Sequence, residues 1–236
     1  MSGRTGTGTE MVFSEQLFDF LVELATHNDR EWFNARKDLY ESVLREPALE
    51  YVRQISGPLA DISPHMTASD RKQGGSLMRI YRDVRFSRDK SPYKTNVGIQ
   101  FRHESGKDVH APGYYVHIAA DDCFLGVGSY MPDRDALAAY RRAIDEHPRD
   151  WLAIKQLTES EDWELGGHGD SLKRPPRGYT AEHPLIEDIK RKHFIITHYL
   201  DVEDVTSPDF VDYSVERFRE SREWMAFLTK AIGLPF

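Results

Sequence analysis

The most chemically loaded stretch of this sequence runs Arg79-Ile-Tyr-Arg82-Asp-Val-Arg85-Phe-Ser-Arg88-Asp-Lys90-Ser-Pro-Tyr93-Lys94-Thr95. Arginine carries a planar fork of donors that matches phosphate or carboxylate oxygens two at a time. Arg79, Arg82 and Arg85 recur every third residue, and Lys90 and Lys94 follow. Ser87, Ser91, Tyr93 and Thr95 add neutral donors, and Asn96 and Gly98 permit close approach. This is the residue set of an oxyanion site. It predicts that Arg79, Arg82, Arg85, Lys90 and Lys94 hold a phosphorylated or other anionic small ligand. Asp83, Asp89, Tyr93 and His117 are the proton-transfer candidates should the ligand be turned over. The residues define no reaction and leave open whether the chain is an enzyme.

Two other readings use the same residues. Arg79 with Asp83, and Arg85 with Asp89, have i, i+4 spacing if the segment is helical. They would then form a structural network in a non-catalytic scaffold or interaction protein. Tyr81, Phe86 and Tyr93 interleave the charges as base-stacking platforms would in a nucleic-acid-binding module. The overall charge of −8 weighs against tight nonspecific nucleic-acid binding. That charge is uneven: residues 71–94 hold eight basic side chains against Asp83 and Asp89, a local +6, leaving −14 for the rest.

The elements that must position these residues are legible in the periodicity. Ser14 is placed to cap a helix with Leu17, Phe18, Leu21, Leu24 and Ala25 on one face. Asn28 and Glu31 have capping-box spacing before a second helix carrying Trp32, Phe33 and Tyr40. Pro47 suits the first turn of a third, which Gly57-Pro58 shortens or kinks. The period then changes to two. Asn96–Arg102, Gly113–Ala119 and Cys123–Tyr130 read as a central antiparallel β-meander of at least three strands. Helices return at Pro132, Pro148, Pro184–Lys192 and Ser214, with a loop over Trp163–Gly178 and a strand over His193–Leu200. The expected class is α+β, helical at both ends. Residues 1–11 are expected to be a disordered tail, and residues 12–236 one domain. Residues 77–86 fit a strand or a helix equally, and Ser87–Pro92 a turn.

The basic stretch also resembles, as RIYRDVRFSRDKSPYKT, the signature of a family of bacterial and fungal proteins named only as a domain of unknown function. The likeness extends to the HNDREWF, PGYYVHI, GVGSYMP and RPPRGY runs, across nearly the whole chain. It implies a one-domain extent and carries no activity or catalytic residues with it.

Other side chains carry less. His103, His110 and His117 are evenly spaced, but a hairpin would hold His103 and His117 roughly 13 Å apart, so no metal is expected. No cofactor motif is complete: Gly126-Val-Gly128 lacks the rest of a phosphate loop and reads as turn glycines. Lys173, Arg174 and Arg177 flank a rigid Pro175-Pro176 pair and read as a solvated loop. The single cysteine, Cys123, excludes an intrachain disulfide. No apolar run approaches the ~20 residues that span a bilayer, so no membrane partner is expected and a cytoplasmic location follows. No residue pattern sets the oligomeric state.

Overall fold

The computed structural model describes residues 11–105, 111–159, 162–166 and 171–236. Of the expected N-terminal tail, residues 1–10 lie outside the described residues. Four helices lead: α1 (Glu15–Thr26), α2 (Arg30–Ala35), α3 (Lys37–Tyr40) and, after a π turn at Glu41–Arg45, α4 (Glu46–Ile62). Helix α4 continues through Pro58 to Ile62 rather than ending there. Gly57 precedes that proline and has no Cβ to clash with its ring. The cap of α2 is Asp29, which accepts from the N–H groups of Glu31 and Trp32 at 2.9 Å. Asn28, the expected cap, is used elsewhere.

The strands are β1 (Met66–Thr67), β2 (Asn96–His103), β3 (Gly113–Ala119), β4 (Cys123–Ser129), β5 (Glu164–Gly166) and β6 (Phe194–Leu200). Among the described residues they form one antiparallel sheet in the order β1-β2-β3-β4-β6-β5. The expected meander is its centre. Glu164–Gly166, expected as loop, is instead its edge strand. The remaining helices are α5 (Arg134–Glu146), α6 (Pro148–Lys155), α7 (Ile186–Ile189), α8 (Val202–Val205), α9 (Phe210–Glu220) and α10 (Arg222–Ala231), with a 3-10 turn at Gln156–Glu159. The single C-terminal helix expected from Ser214 is thus two helices that meet at Ser221. The chain is α+β, and no described helix is long and apolar enough to cross a membrane.

Side chains alternate across a strand, so register divides the sheet into two faces. Val97, Ile99 and Phe101 pair with Ile118, Val116 and Tyr114, and these with Cys123, Leu125 and Val127, all on the buried face. Tyr51 of α4 and Phe218 of α9 pack on Phe101, with centroids 6.4 and 6.3 Å away, and Phe218 on Tyr114 at 4.7 Å. Behind them, Asp188 is buried and held by Trp151 Nε1 and Lys155 Nζ, each at 2.9 Å. A buried carboxylate needs such partners to remain charged.

Residues 76–95 form an arm rather than a helix or a continuous strand. Backbone bonds tie Gln100 to Ser76 and Met78 to Gly98 at the start of β2, and Lys94 to Ile80 and Arg82 to Pro92 within the arm, all at 2.8–2.9 Å, so the arm's two limbs pair antiparallel as a continuation of its contact with β2. It is pinned at Tyr93. The Asn28 amide donates to the Tyr93 carbonyl and accepts from its N–H, both at 3.0 Å. The Tyr93 ring stacks on Phe33 with centroids 4.0 Å apart.

Asn28→Ala strips both partners from a buried backbone unit, so a loss of about 1–3 kcal/mol is expected, readable by urea unfolding. A loss below about 0.5 kcal/mol, the range of ordinary surface substitutions, would contradict the pinning.

Candidate functional site

Among the described residues no helix lines the second face of the sheet, and that face forms a groove of about 940 Å³. Ligand cavities commonly span roughly 300–1,000 Å³. Three rows of paired residues make the floor: His117–Phe124–Tyr199, Gln100–Tyr115–Gly126–Thr197–Glu164, and Arg102–Gly113–Gly128–Ile195–Gly166. Met78 of the arm and Tyr130 and Met131 beyond β4 complete its rim.

Polar groups in the groove are organised. His117 Nδ1 lies 3.0 Å from the Tyr115 hydroxyl, and the imidazole stacks on Phe124 at 4.7 Å and 6°. Burial lowers the His117 pKa, against the opposing pull of Asp122 and Asp121. The ring is therefore neutral at pH 7, and Nδ1 accepts from Tyr115 when its proton sits on Nε2. Burial pushes the Tyr115 hydroxyl up to about 12, with the Asn96 side chain pulling the other way. On the opposite side Gln100 Oε1 accepts from Arg102 Nε at 3.0 Å and Nη2 at 2.8 Å, which fixes the guanidinium. Arg102 has no ion-pair partner among the described residues.

A smaller polar cavity of about 370 Å³ lies where the arm meets α1 and the start of β2. Arg82, Asp89, Ser91, Lys94, Thr95 and Asn96 line it. Asn96 is shared ground, since its side chain also reaches Tyr115 of the groove. Arg82 Nη1 pairs with Asp89 and donates to the Ser91 carbonyl at 3.3 Å. Asp89 also accepts from the Ser91 N–H at 2.9 Å and hydroxyl at 2.6 Å. Burial, and then the nearby charge of Arg79, lower the Lys94 pKa.

The arm separates the other residues singled out from the sequence. Arg85 forms a two-point pair with Asp83 (Nε–Oδ1 2.9 Å, Nη2–Oδ2 2.7 Å), with its side chain 77% exposed. Lys90 Nζ donates to the Val84 carbonyl at 2.9 Å, and Arg79 and Arg88 are exposed. The i, i+4 pairs expected of a helix do not form, because the arm is not helical. Ser91 and Arg82 hold the Asp89 carboxyl well below the usual carboxylate range, and Arg85 lowers Asp83. Tyr93 is raised by burial. Of the four proton-transfer candidates, His117 alone opens on the groove.

The glycines of the groove floor were not legible as a site. Gly126 and Gly128 lie within β4 rather than in a turn. The available signal was the alternation itself, which puts Gly126 in phase with Phe124 and out of phase with Leu125 and Val127. His103 is buried and structural: Nε2 bonds the Pro235 carbonyl at 2.9 Å, and Nδ1 accepts from the Ser105 N–H at 3.1 Å. His110 lies outside the described residues, among which no group of three metal-binding side chains gathers. The Cys123 thiol is buried and raised by that burial. Lys173, Arg174 and Arg177 are exposed and line neither cavity.

The chain belongs to the family described as a conserved hypothetical protein (DUF2461), whose model matches residues 16–227, in keeping with the resemblance read from the sequence. No curated protein and no solved structure matches it.

Protonation of His117 is resisted by the fold relative to its ordinary value of 6.5. Above that pH the residue is neutral both folded and unfolded. As pH falls, the unfolded chain takes up a proton the folded chain resists, and stability is lost down through the folded pKa. The urea midpoint is expected to fall between pH 7 and 5 more in the wild type than in His117→Gln, with the imidazole titrating below 6.5 by NMR. Titration at or above 6.5 would contradict its half-buried setting.

Proposed function

We propose that this family member binds a small anionic ligand, such as a phosphorylated metabolite, in the polar cavity at the base of the arm. Lys94 is the observation that carries this reading. Its ammonium is half-buried, and the charge acting most on it is another cation, Arg79. No carboxylate pairs with it among the described residues. A cation taken out of water without a counter-ion is costly, and a bound anion supplies the missing charge.

The rest of the cavity fits that role. Asp89 is spent on Arg82 and Ser91, so Arg82 and Lys94 against Asp89 leave a net +1. The Nε and Nη2 groups of Arg82 have no partner among the described residues, and Thr95 and Asn96 add neutral donors. Binding is better supported than turnover, since at neutral pH Asp89 stays ionised and Tyr93 protonated. Of the five cations expected at the ligand, the reading keeps Arg82 and Lys94 at first contact and Arg79 at longer range.

Two features bear on the other readings. Phe86 at the tip is 95% exposed and Tyr81 55% exposed, with the Arg85 guanidinium 5.8 Å from the Phe86 ring. Exposed rings among cations favour base stacking, although the third ring, Tyr93, is buried. The Arg–Asp pairs of the tip are solvent-screened and stabilise little, which weakens the reading of the arm as a structural spine.

Thermal unfolding with inorganic phosphate, pyrophosphate and glucose 6-phosphate tests the proposal. A probe at 100 times its Kd stabilises by ~2.7 kcal/mol, about 5–10 °C in a chain of this size. The wild type and Lys90→Met are expected to shift, and Lys94→Met is not. No shift in the wild type, or a full shift in Lys94→Met, sinks the reading. Salt-dependent oligonucleotide binding that disappears in Phe86→Ala would replace it with the nucleic-acid reading.

A further inference from the structure

The groove on the open face of the sheet has the size of a ligand site, one fixed cation and a neutral hydrogen-bonding pair. The cation is Arg102, locked by Gln100 at one end of the row that holds Gly113 and Gly128. The pair is Tyr115–His117. Acidic groups also reach the groove, but at other rims: Asp122 beside His117, and Glu164 on the far edge strand, four strands from Gln100 in the same row.

Missing side chains account for the depth between them. Two of the glycines have a backbone reason. A Cβ on Gly113 would lie 2.7 Å from the Phe101 carbonyl oxygen. One on Gly128, at φ +126°, would lie 2.1 Å from that of Phe194. The other two have none. On Gly166 a Cβ would meet, among the described residues, nothing closer than Thr197 Oγ1 at 3.5 Å. On Gly126 it would meet first the Cδ1 end of the Ile195 side chain, at 3.3 Å. Glycine inside a strand weakens it, so at these two positions stability is given up and open space results.

The shape of that space is specific. Gly126 and Gly128 are two residues apart on one strand and Gly113 is on the next, a bare floor of roughly 7 by 5 Å. Aromatic rings wall it. Phe124 is stacked on His117 on one side, and Tyr130 on His193, at 4.9 Å, on the other. Floor and walls match a planar fused ring, and Arg102 matches an acidic substituent on it.

We propose that the groove is a binding site for a flat, largely apolar molecule bearing one acidic group, its ring on the glycine floor and its acid on Arg102. The Tyr115–His117 pair then orients a polar substituent at the other side of the ring. The site is separate from the Lys94 cavity and does not rest on the anion reading there.

The test uses 1-anilinonaphthalene-8-sulfonate as the probe, followed by its fluorescence at pH 7, with 2-naphthoate as competitor. The wild type is expected to bind one dye per chain, saturably, and to release it to 2-naphthoate but not to neutral 2-naphthalenemethanol. Gly166→Leu and Gly126→Leu each fill the floor and are expected to abolish this binding. Arg102→Gln weakens it about tenfold, as loss of one charge-assisted pair does. Lys94→Met leaves it unchanged, which separates this site from the phosphate-binding one. Circular dichroism confirms folding. If Gly126→Leu does not fold, Gly166→Leu on the edge strand carries the steric arm. Absence of saturable dye binding overturns the proposal, as does wild-type affinity in Gly166→Leu and Arg102→Gln. A dimer in sedimentation whose groove excludes the dye also overturns it, giving the face to a second copy of the chain.

Discussion

An antiparallel sheet whose described helices pack on one face is the constraint from which the rest of this molecule follows. Every strand must divide its residues between a dry side and a wet side, because alternate side chains point opposite ways. The dry side is filled with aromatic and branched residues (Phe101, Tyr114, Val116, Leu125, Val127, Phe194 and Ile196), pressed between the N-terminal and C-terminal helices. The wet side is left to glycines, a few rings and mostly polar side chains, among them His117, Gln100, Arg102, Thr197 and Glu164. Covering it would take a second helical layer with its own apolar stripe. The described helices instead spend their large residues, among them Trp151, Trp224 and Phe218, on the shared core.

The arm is the second consequence. It leaves the sheet through the backbone bonds at Ser76 and Met78 and returns to it at Asn96, its two limbs joined at Ile80–Lys94 and Arg82–Pro92 but with no helix of its own to hold it. A single amide, Asn28, takes its place by satisfying both backbone groups of Tyr93 while Phe33 covers the ring. That anchor lies 65 residues away in sequence. It brings Lys94 and Arg82 against α1 and leaves Arg85, Arg88 and Phe86 outward. Charge that looks uniform along the chain is thus sorted into an inner pair and an outer fringe with different chemistry.

The legible parts of the fold were those in which local pattern and tertiary demand agree. The strand at Asn96 lies where alternation puts it, those at Gly113 and Cys123 where β-formers and a short apolar run put them, and helix α1 where its apolar stripe begins. Three-residue β5 hides in a glycine-rich run, because so short a strand carries no period. The cap of α2 was misplaced by one residue because Asn28 and Asp29 both suit the role, and only the distant Tyr93 decides between them. The arm was ambiguous for the same reason: β2, Asn28 and the pairing of its own two limbs place it, not its periodicity. The groove was hidden more deeply. A glycine in a sequence reads first as a turn, and no local signal reveals that Gly113, Gly126, Gly128 and Gly166, from three strands, share one floor. His117 was legible because it sits out of phase with Val116 and Ile118, and so must face the other way.

Two chemically distinct cavities meet near Asn96. Amide chemical-shift mapping of the uniformly 15N-labelled chain addresses this most directly, with phosphate and 2-naphthoate titrated in separate experiments. The predicted result is two compact footprints that touch only at Asn96. Phosphate should move the amides of Ser91, Lys94 and Thr95, and 2-naphthoate those of Arg102, Gly113, Gly126 and Gly128. Footprints that coincide, or that scatter over the surface without saturating, would contradict it.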